Sequence, residues 1–155
     1  MPEIIITNPL LNRDVLRAHS YDTGITGMRE TFPLLLSRQG VTPVTYPRAI
    51  DLCAGDGSFA RILVDNGWDE TNMACVDMFC TSTPLVPRAK WLYWDLESLY
   101  SAIVLDKPIP AEVLEYQHQF DIAILWNGGL FGRAVDIVCE YLVRSEGYIV
   151  HNKRY

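Results

Sequence analysis

The chain has 155 residues, the size of one ordinary domain, which is enough to bury a hydrophobic core. Hydrophobic residues make up 49% of the sequence and charged residues 21%, the proportions of a soluble globular protein. The 13 Lys and Arg against 19 Asp and Glu give a net charge of -6, and the basic residues cluster only at Lys153 and Arg154. Proteins that bind bulk nucleic acid usually carry a basic face, so this balance argues against a long DNA or RNA substrate.

Signals for a membrane, for secretion and for a metal site are all missing from the sequence. No segment approaches the roughly 20 apolar residues needed to span a bilayer. The start, MPEIIITNPLLNRD, has no basic region followed by an apolar stretch, so a cytoplasmic location is expected by default. The four cysteines form no CxxC pair and the three histidines are scattered, which predicts buried free thiols and no metal.

The amino-terminal segment is predicted to be helical. Asn8 followed by Pro9 is typical of a helix start, and a short helix to about His19 is expected. Thr26 can cap a second helix, which ends before a glycine at position 40. The apolar face of this second helix comprises Met28, Phe32, Leu35 and Leu36. We therefore expect residues 1–47 to form a helical segment or lid within a single domain.

Residues 48–155 alternate between short apolar runs, turns and stretches with helical spacing. The runs predict five strands, at 49–53, 73–76, 91–94, 122–126 and 148–150. Three helices are predicted: one capped by Ser58, a short one near 111–119, and one that begins at Phe131 and is closed by Gly147. A loop is predicted over residues 96–110. This order predicts an open, doubly wound, mostly parallel α/β sheet, because right-handed crossovers place the helices on its two faces.

The sequence stops soon after the fifth predicted strand, at Tyr155. The outer edge of that strand would then present unpaired backbone groups, and such edges tend to associate. We expect either a partner subunit or the amino-terminal segment to cover this edge. Self-association into a homo-oligomer is therefore predicted.

The most informative segment is DLCAGDGSF, residues 51–59. Gly55 and Gly57 lie in the turn that connects a predicted strand to a predicted helix. Because they have no side chains, the backbone can turn tightly and a ligand can lie against it. With Ala60, and with Asp77 twenty residues beyond Gly57, the turn also fits the loose dinucleotide-binding pattern. However, Asp51 lies within the strand before the turn, where a carboxylate would repel a pyrophosphate and would bind an ammonium or hydroxyl group.

Acidic residues recur at the ends of the next two predicted strands, as Asp77 in ACVDMF and Asp95 in YWDLES. Together with the glycine turn they resemble the class I S-adenosylmethionine-dependent methyltransferases. In that family an acid, alternating glycines, an acid ending the second strand and an acid or amide after the third follow in this order. The resemblance covers residues 48–150 and implies a Rossmann-like methyltransferase fold with S-adenosylmethionine as cofactor.

The resemblance also implies roles for individual residues. Asp51 and the backbone of the turn would hold the methionine part of the cofactor. Asp77 would accept hydrogen bonds from the ribose hydroxyls, with Met78 against the adenine. Asp95 would accept from the adenine amino group, with Leu96 as its apolar neighbour. The residues of the turn are Cys53, Ala54, Gly55, Asp56 and Gly57.

Three features depart from the family pattern. One is length, because family members usually continue past the fifth strand with a helix and an antiparallel pair of strands, so the predicted fold is truncated after that strand. Cys53 stands where many members have their first glycine. After the fourth strand, amino-directed DNA methyltransferases carry an Asn or Asp, two prolines and an aromatic residue, whereas residues 126–131 here read WNGGLF. Asn127 could occupy the equivalent place and position an acceptor, but the missing prolines argue against methylation of a base amine. Further candidates for acid–base help are Tyr21, Asp22 and His151.

Other interpretations remain open at the level of sequence. Asp77 could simply cap a turn, Asp95 could be an ordinary solvated acid, and His151 could be a solvated residue of the tail. The chain could also be a non-catalytic S-adenosylmethionine-binding subunit or regulator, or an NAD-binding oxidoreductase domain. For an active enzyme, the composition favours a small-molecule or protein acceptor.

Overall fold

The computed structural model describes residues 3–8, 13–19, 25–78, 83–125 and 133–151, with side chains from residue 32 onward. The strands are β1 (Glu3–Asn8), β2 (Arg13–His19), β3 (Ala49–Leu52), β4 (Met73–Val76), β5 (Lys90–Leu92), β6 (Phe120–Leu125) and β7 (Val143–His151). The helices are α1 (Ile25–Arg38), α2 (Ser58–Asp65), α3 (Leu96–Val104), α4 (Ala111–Leu114) and α5 (Arg133–Leu142). None of these helices is long and apolar enough to cross a membrane.

The strands form one sheet in the order β2-β1-β7-β6-β3-β4-β5. The five strands from β7 to β5 are parallel, which confirms the predicted doubly wound, mostly parallel sheet. The chain adds β4 and β5 on one side of β3 and then crosses to build β6 and β7 on the other. Ligands in such sheets bind beyond the carboxyl ends of the strands where this reversal occurs, so the expected site follows β3 and β6.

Two apolar clusters lie against the sheet, one on each face. Every residue of β3, β4 and β6 is buried, as expected for continuous apolar runs in the middle of a parallel sheet. The stripes predicted for three helices are confirmed where side chains are described. The buried members are Phe32, Leu35 and Leu36 of α1, Phe59, Ile62 and Leu63 of α2, and Val135, Val138 and Leu142 of α5. Met28 and Phe131 lie outside the described side chains.

The helix predicted from Asn8 to about His19 is wrong. Asn8 is the last residue of β1, and residues 13–19 form β2, which runs antiparallel to β1. The local Asn-Pro signal is overridden because the sequence EIIITN suits a strand and the edge of β7 offers its backbone groups for pairing. The second predicted helix is confirmed as α1, so among the described residues of the segment 1–47 the helix lies in the later part.

The amino-terminal segment covers the edge of the strand that the sequence predicts as the fifth. Within β1, Ile5 pairs with His151, Ile6 with Val150 and Thr7 with Ile149. Covering by the amino-terminal segment was one of the two predicted solutions. Because β1 already pairs with β7, the exposed edge that motivated a homo-oligomer is absent in this arrangement, and self-association stays a prediction.

Three local predictions need correction. Residues 96–104 form α3 instead of a loop, because Asp95 caps a helix whose Leu96, Leu99 and Ala102 are buried. Gly147 does not end a helix, since α5 stops at Leu142 and Gly147 lies inside β7. The helix expected near 111–119 is the single turn α4, and the predicted third and fourth strands begin one and two residues earlier.

Candidate functional site

The turn between β3 and α2 has a backbone that glycine serves well. Gly55 and Gly57 have φ angles of 60° and 91°, in the left-handed region that residues with side chains rarely adopt. A Cβ on Gly57 would lie 2.9 Å from Cγ2 of Val86 and 3.3 Å from the ring of Trp91, so only glycine fits there. A Cβ on Gly55 would have no atom of a described residue within 4 Å, so the described part of the chain leaves space against this backbone. Cys53 also has a left-handed φ of 57°, a strained value for a non-glycine residue.

The start of α2 is capped by acids instead of by Ser58. The cap position belongs to Gly57, which has no side chain to offer. Oδ1 of Asp56 accepts a hydrogen bond from the amide of Ser58 at 3.2 Å, and Oδ2 of Asp51 accepts one from the amide of Ala60 at 3.2 Å. The contribution of Asp51 comes from the strand, nine residues before its partner. Local sequence patterns of helix caps do not reveal it.

Asp51 is the most perturbed carboxyl group of the site. Its side chain is 2% exposed, and burial raises its pKa from 3.8 to about 7. The hydrogen bond from Ala60 lowers the pKa, while the negative charges of Asp56 and Asp77 raise it further. Small changes in nearby charge therefore alter the fraction of this carboxyl group that is ionised near neutral pH.

We expect Asp51→Asn to remove a pH dependence of stability. Because the folded-state pKa of Asp51 lies above 3.8, the folded state holds a proton that the unfolded state has lost, so stability falls as pH rises from 4 to 7. Between these two pH values the free energy of unfolding is expected to fall by about 4 kcal/mol. Urea unfolding from pH 5 to 8 should show wild type losing stability relative to the Asp51→Asn variant. Parallel curves would contradict the assignment, and Asp65→Asn, which changes an exposed acid, is the control.

Asp77 connects the ends of β3 and β4. Its Oδ2 accepts a hydrogen bond from the amide of Gly55 at 2.8 Å, and the amide of Ala54 donates to the carbonyl of Val76 at 2.9 Å. The structure thus brings Asp51, the glycine turn and Asp77 together, as the sequence pattern predicted. Met78 follows Asp77 and is 60% exposed.

Asp95 and Leu96 are used by the start of α3. The carboxylate of Asp95 accepts hydrogen bonds from the amides of Glu97 and Ser98 and from the hydroxyl of Ser98. The Ser98 hydroxyl, supported by the two amides, lowers the pKa of Asp95 although burial acts against it. Leu96 is buried in the core. Asp95 is exposed at the carboxyl end of β5, but it acts as a helix cap, so its contact with adenine stays a prediction.

No protein-family model and no curated protein matches this chain. Among solved structures, it is similar to a protein from Pyrococcus horikoshii OT3, with 13% identity, a TM-score of 0.52 and coverage of 81% of this chain and 56% of that one. A SAM-dependent methyltransferase from Archaeoglobus fulgidus shares 16% identity at a TM-score of 0.45, over 81% and 52% of the two chains. A putative S-adenosyl-L-methionine-dependent methyltransferase from Methanococcus maripaludis has 14% identity at a TM-score of 0.47. That match covers 86% of this chain and 66% of the other one.

The sheet order identifies the architecture, and the similarity to the Pyrococcus horikoshii protein supports it. The chain has an open, doubly wound Rossmann-like fold. It spans about half to two thirds of the length of the three solved chains. Sequence identities of 13% to 16% concern the fold alone, so activity has to be argued from the site itself.

The other residues that the sequence analysis singled out lie partly outside the described residues and partly in the core of this Rossmann-like domain. Asn127, Tyr21 and Asp22 lie outside the described residues. His151 ends β7 and is 1% exposed, with Nε2 3.9 Å from Oδ1 of Asp136, so it is a core residue and not part of a solvated tail. Among the cysteines with described positions, Cys53 is half-buried, and Cys75 and Cys139 are buried free thiols. The described part of the chain contains no group of three metal-ligating side chains.

Proposed function

We propose that this chain binds S-adenosylmethionine at the carboxyl end of β3 and transfers its methyl group to a small-molecule or protein acceptor. The convergence of Asp51, the amide of Gly55 and the carboxylate of Asp77 at one point of the sheet carries this proposal. The space that the described residues leave at Gly55 supports it, because a ligand there would lie directly against the turn.

The charge at the turn distinguishes between cofactors. Asp56 and Asp77 both raise the pKa of Asp51, so the three carboxyl groups lie close enough to repel one another. This negative potential suits the ammonium and sulfonium cations of S-adenosylmethionine and opposes the pyrophosphate of NAD. The residues present therefore fit the methyl donor better than a dinucleotide.

The roles of the protein follow from the chemistry of the site. When bound, the cofactor supplies a methyl group already activated by its sulfonium charge, so catalysis depends mainly on alignment and exclusion of water. Asp77 would hold the turn through Gly55 and accept hydrogen bonds from ribose hydroxyls. The exposed side chain of Met78 would cover adenine, and Asn127 would position the acceptor.

Calorimetric titration with S-adenosylmethionine, S-adenosylhomocysteine and NAD in parallel tests the cofactor. We expect saturable binding of the two adenosyl compounds and none of NAD. A cation beside Asp51 should also lower its pKa, so binding of S-adenosylmethionine at pH 6.5 should release a proton and its enthalpy should vary with the buffer. Binding of NAD alone, or of no compound, would overturn the proposal.

Transfer is tested separately with a methyl-labelled donor and a panel of small molecules and proteins as acceptors. Label should move to an acceptor and S-adenosylhomocysteine should accumulate in equal amount. Cofactor binding without transfer to any acceptor would identify a non-catalytic binding subunit instead.

A further inference from the structure

An open groove of about 670 Å³ runs beside α3, away from the glycine turn. It begins at Tyr93 after β5, follows α3 and ends at the prolines before α4. The residues that matter for its chemistry are Tyr93, Glu97, Ser101, Lys107, Pro108 and Glu112, and this surface is called the α3 groove below. Asp95, which the resemblance assigns to the adenine amino group, also lines the groove, but these six residues have no role in the proposed cofactor site.

The lining of the α3 groove is partly apolar and is tied to its surroundings by packing and hydrogen bonds. Trp94, in its floor, is 8% exposed and packs against Tyr116 with ring centroids 5.5 Å apart. Amides of Val113 and Leu114 donate to the carbonyl of Pro110 at 3.0 and 2.9 Å and hold the far wall in place. Tyr93 is 52% exposed at one end of the groove.

The groove's own lining includes apolar side chains, those of Tyr93, Pro108, Pro110 and Val113. Tyr93 is 52% exposed, so apolar surface is available to a partner at this end of the groove. An open surface of this kind, lined by residues from α3 and from the segment before α4, suits a segment of polypeptide better than an enclosed small molecule.

The charge of the α3 groove decides what kind of segment fits. Its described lining contains three carboxylates, those of Asp95, Glu97 and Glu112, and one cation, Lys107. Asp95 is occupied as the cap of α3, but the carboxylates of Glu97 and Glu112 make no hydrogen bond or ion pair with any described residue. Arg or Lys side chains of a partner would neutralise them, whereas an acidic segment would be repelled.

We propose that the α3 groove docks an extended peptide segment of another protein that combines basic with apolar side chains. The basic side chains pair with Glu97 and Glu112, and the apolar ones lie on Tyr93 and Pro108. The proposal does not depend on methyl transfer, because the proposed function gives Tyr93, Glu97 and Glu112 no role at the glycine turn or at Asp77.

The probe is a fluorescein-labelled octapeptide of alternating arginine and leucine, followed by fluorescence anisotropy. We expect saturable binding to the full chain, at least tenfold weaker for the double variant Glu97→Gln, Glu112→Gln and several-fold weaker for Tyr93→Ser. The matched control is Asp65→Asn, Glu140→Gln, which removes the same charge at exposed positions outside the groove and should bind within twofold of wild type.

Several results would overturn the proposal. One is equal loss of binding in the control double variant, or equal binding of octaarginine, because either would show general charge attraction. Equal binding of a glutamate–leucine octapeptide, or no saturable binding at all, would also contradict it. Competition by S-adenosylhomocysteine would place the peptide in the cofactor site. A dimer that Tyr93→Ser dissociates would make a second copy of the chain the occupant.

Discussion

Replacing Gly147 with Ala should destabilise the protein by at least about 3 kcal/mol, the largest effect that we expect from a single methyl group. The added Cβ would lie 2.1 Å from Cγ1 of Val143, 2.6 Å from the carbonyl oxygen of Asp121 and 3.1 Å from that of Arg144. Two of these three neighbours are backbone atoms, so a change of rotamer cannot relieve the overlap. Urea unfolding monitored by tryptophan fluorescence measures the loss.

The crowding arises from an irregularity in the pairing of β6 and β7. Phe120 pairs with Val143, but Ile122 already pairs with Tyr148, so the intervening residues of β7 bulge outward. The buried carboxylate of Asp121 holds this bulge by pairing with Arg144 and by accepting a hydrogen bond from the amide of Arg48 at 2.9 Å.

Ser145→Ala is the matched control for Gly147→Ala, because Ser145 is an exposed residue of the same bulge. Its stability should stay within about 0.5 kcal/mol of wild type. If Gly147→Ala cost less than about 1 kcal/mol, the backbone at this bulge would differ from the structure described here. If both variants unfolded equally, the bulge as a whole would be sensitive and the specific contact with Asp121 would not explain the loss.

Asp77→Ala should weaken binding of S-adenosylhomocysteine at least about 100-fold while the protein stays folded. The substitution removes the acceptor for the amide of Gly55, which lies 2.8 Å away, and with it the acceptor proposed for the ribose. Asp77 lies outside the two apolar clusters, so the core is unchanged. Titration calorimetry gives the affinity, and urea unfolding verifies the fold.

Asp56→Asn is the control for this binding experiment. Asp56 is an exposed acid of the same turn, and its carboxylate bonds to Ser58 within the turn. Its substitution removes the same charge but should change affinity less than fivefold, because only the backbone of Asp56 is proposed to face the cofactor. Unchanged affinity in Asp77→Ala would overturn the role of the acid that ends β4. An equal loss in both variants would assign the effect to net charge alone.

The parallel core was predictable from sequence because its signals are local. The strand 73–76 is found at its predicted bounds, and the stripe of Phe59, Ile62 and Leu63 is buried as the helical spacing indicated. The proximity of Asp51, the glycine turn and Asp77 at the carboxyl ends of the strands also followed from the predicted strand order. By contrast, α3 was missed, although Asp95 is a favoured cap residue and stands directly before a helical stripe.

The sequence by itself determined the apolar runs, the glycine turn and the acids at strand ends, because each depends on residues a few positions apart. Only the tertiary structure decided that residues 3–8 form a strand on β7, that Asp51 caps α2 and that Gly147 faces the carbonyl of Asp121. Each of these contacts joins segments distant in sequence or on different elements. Their free energy depends on burial and backbone pairing, which exist only once the sheet has assembled.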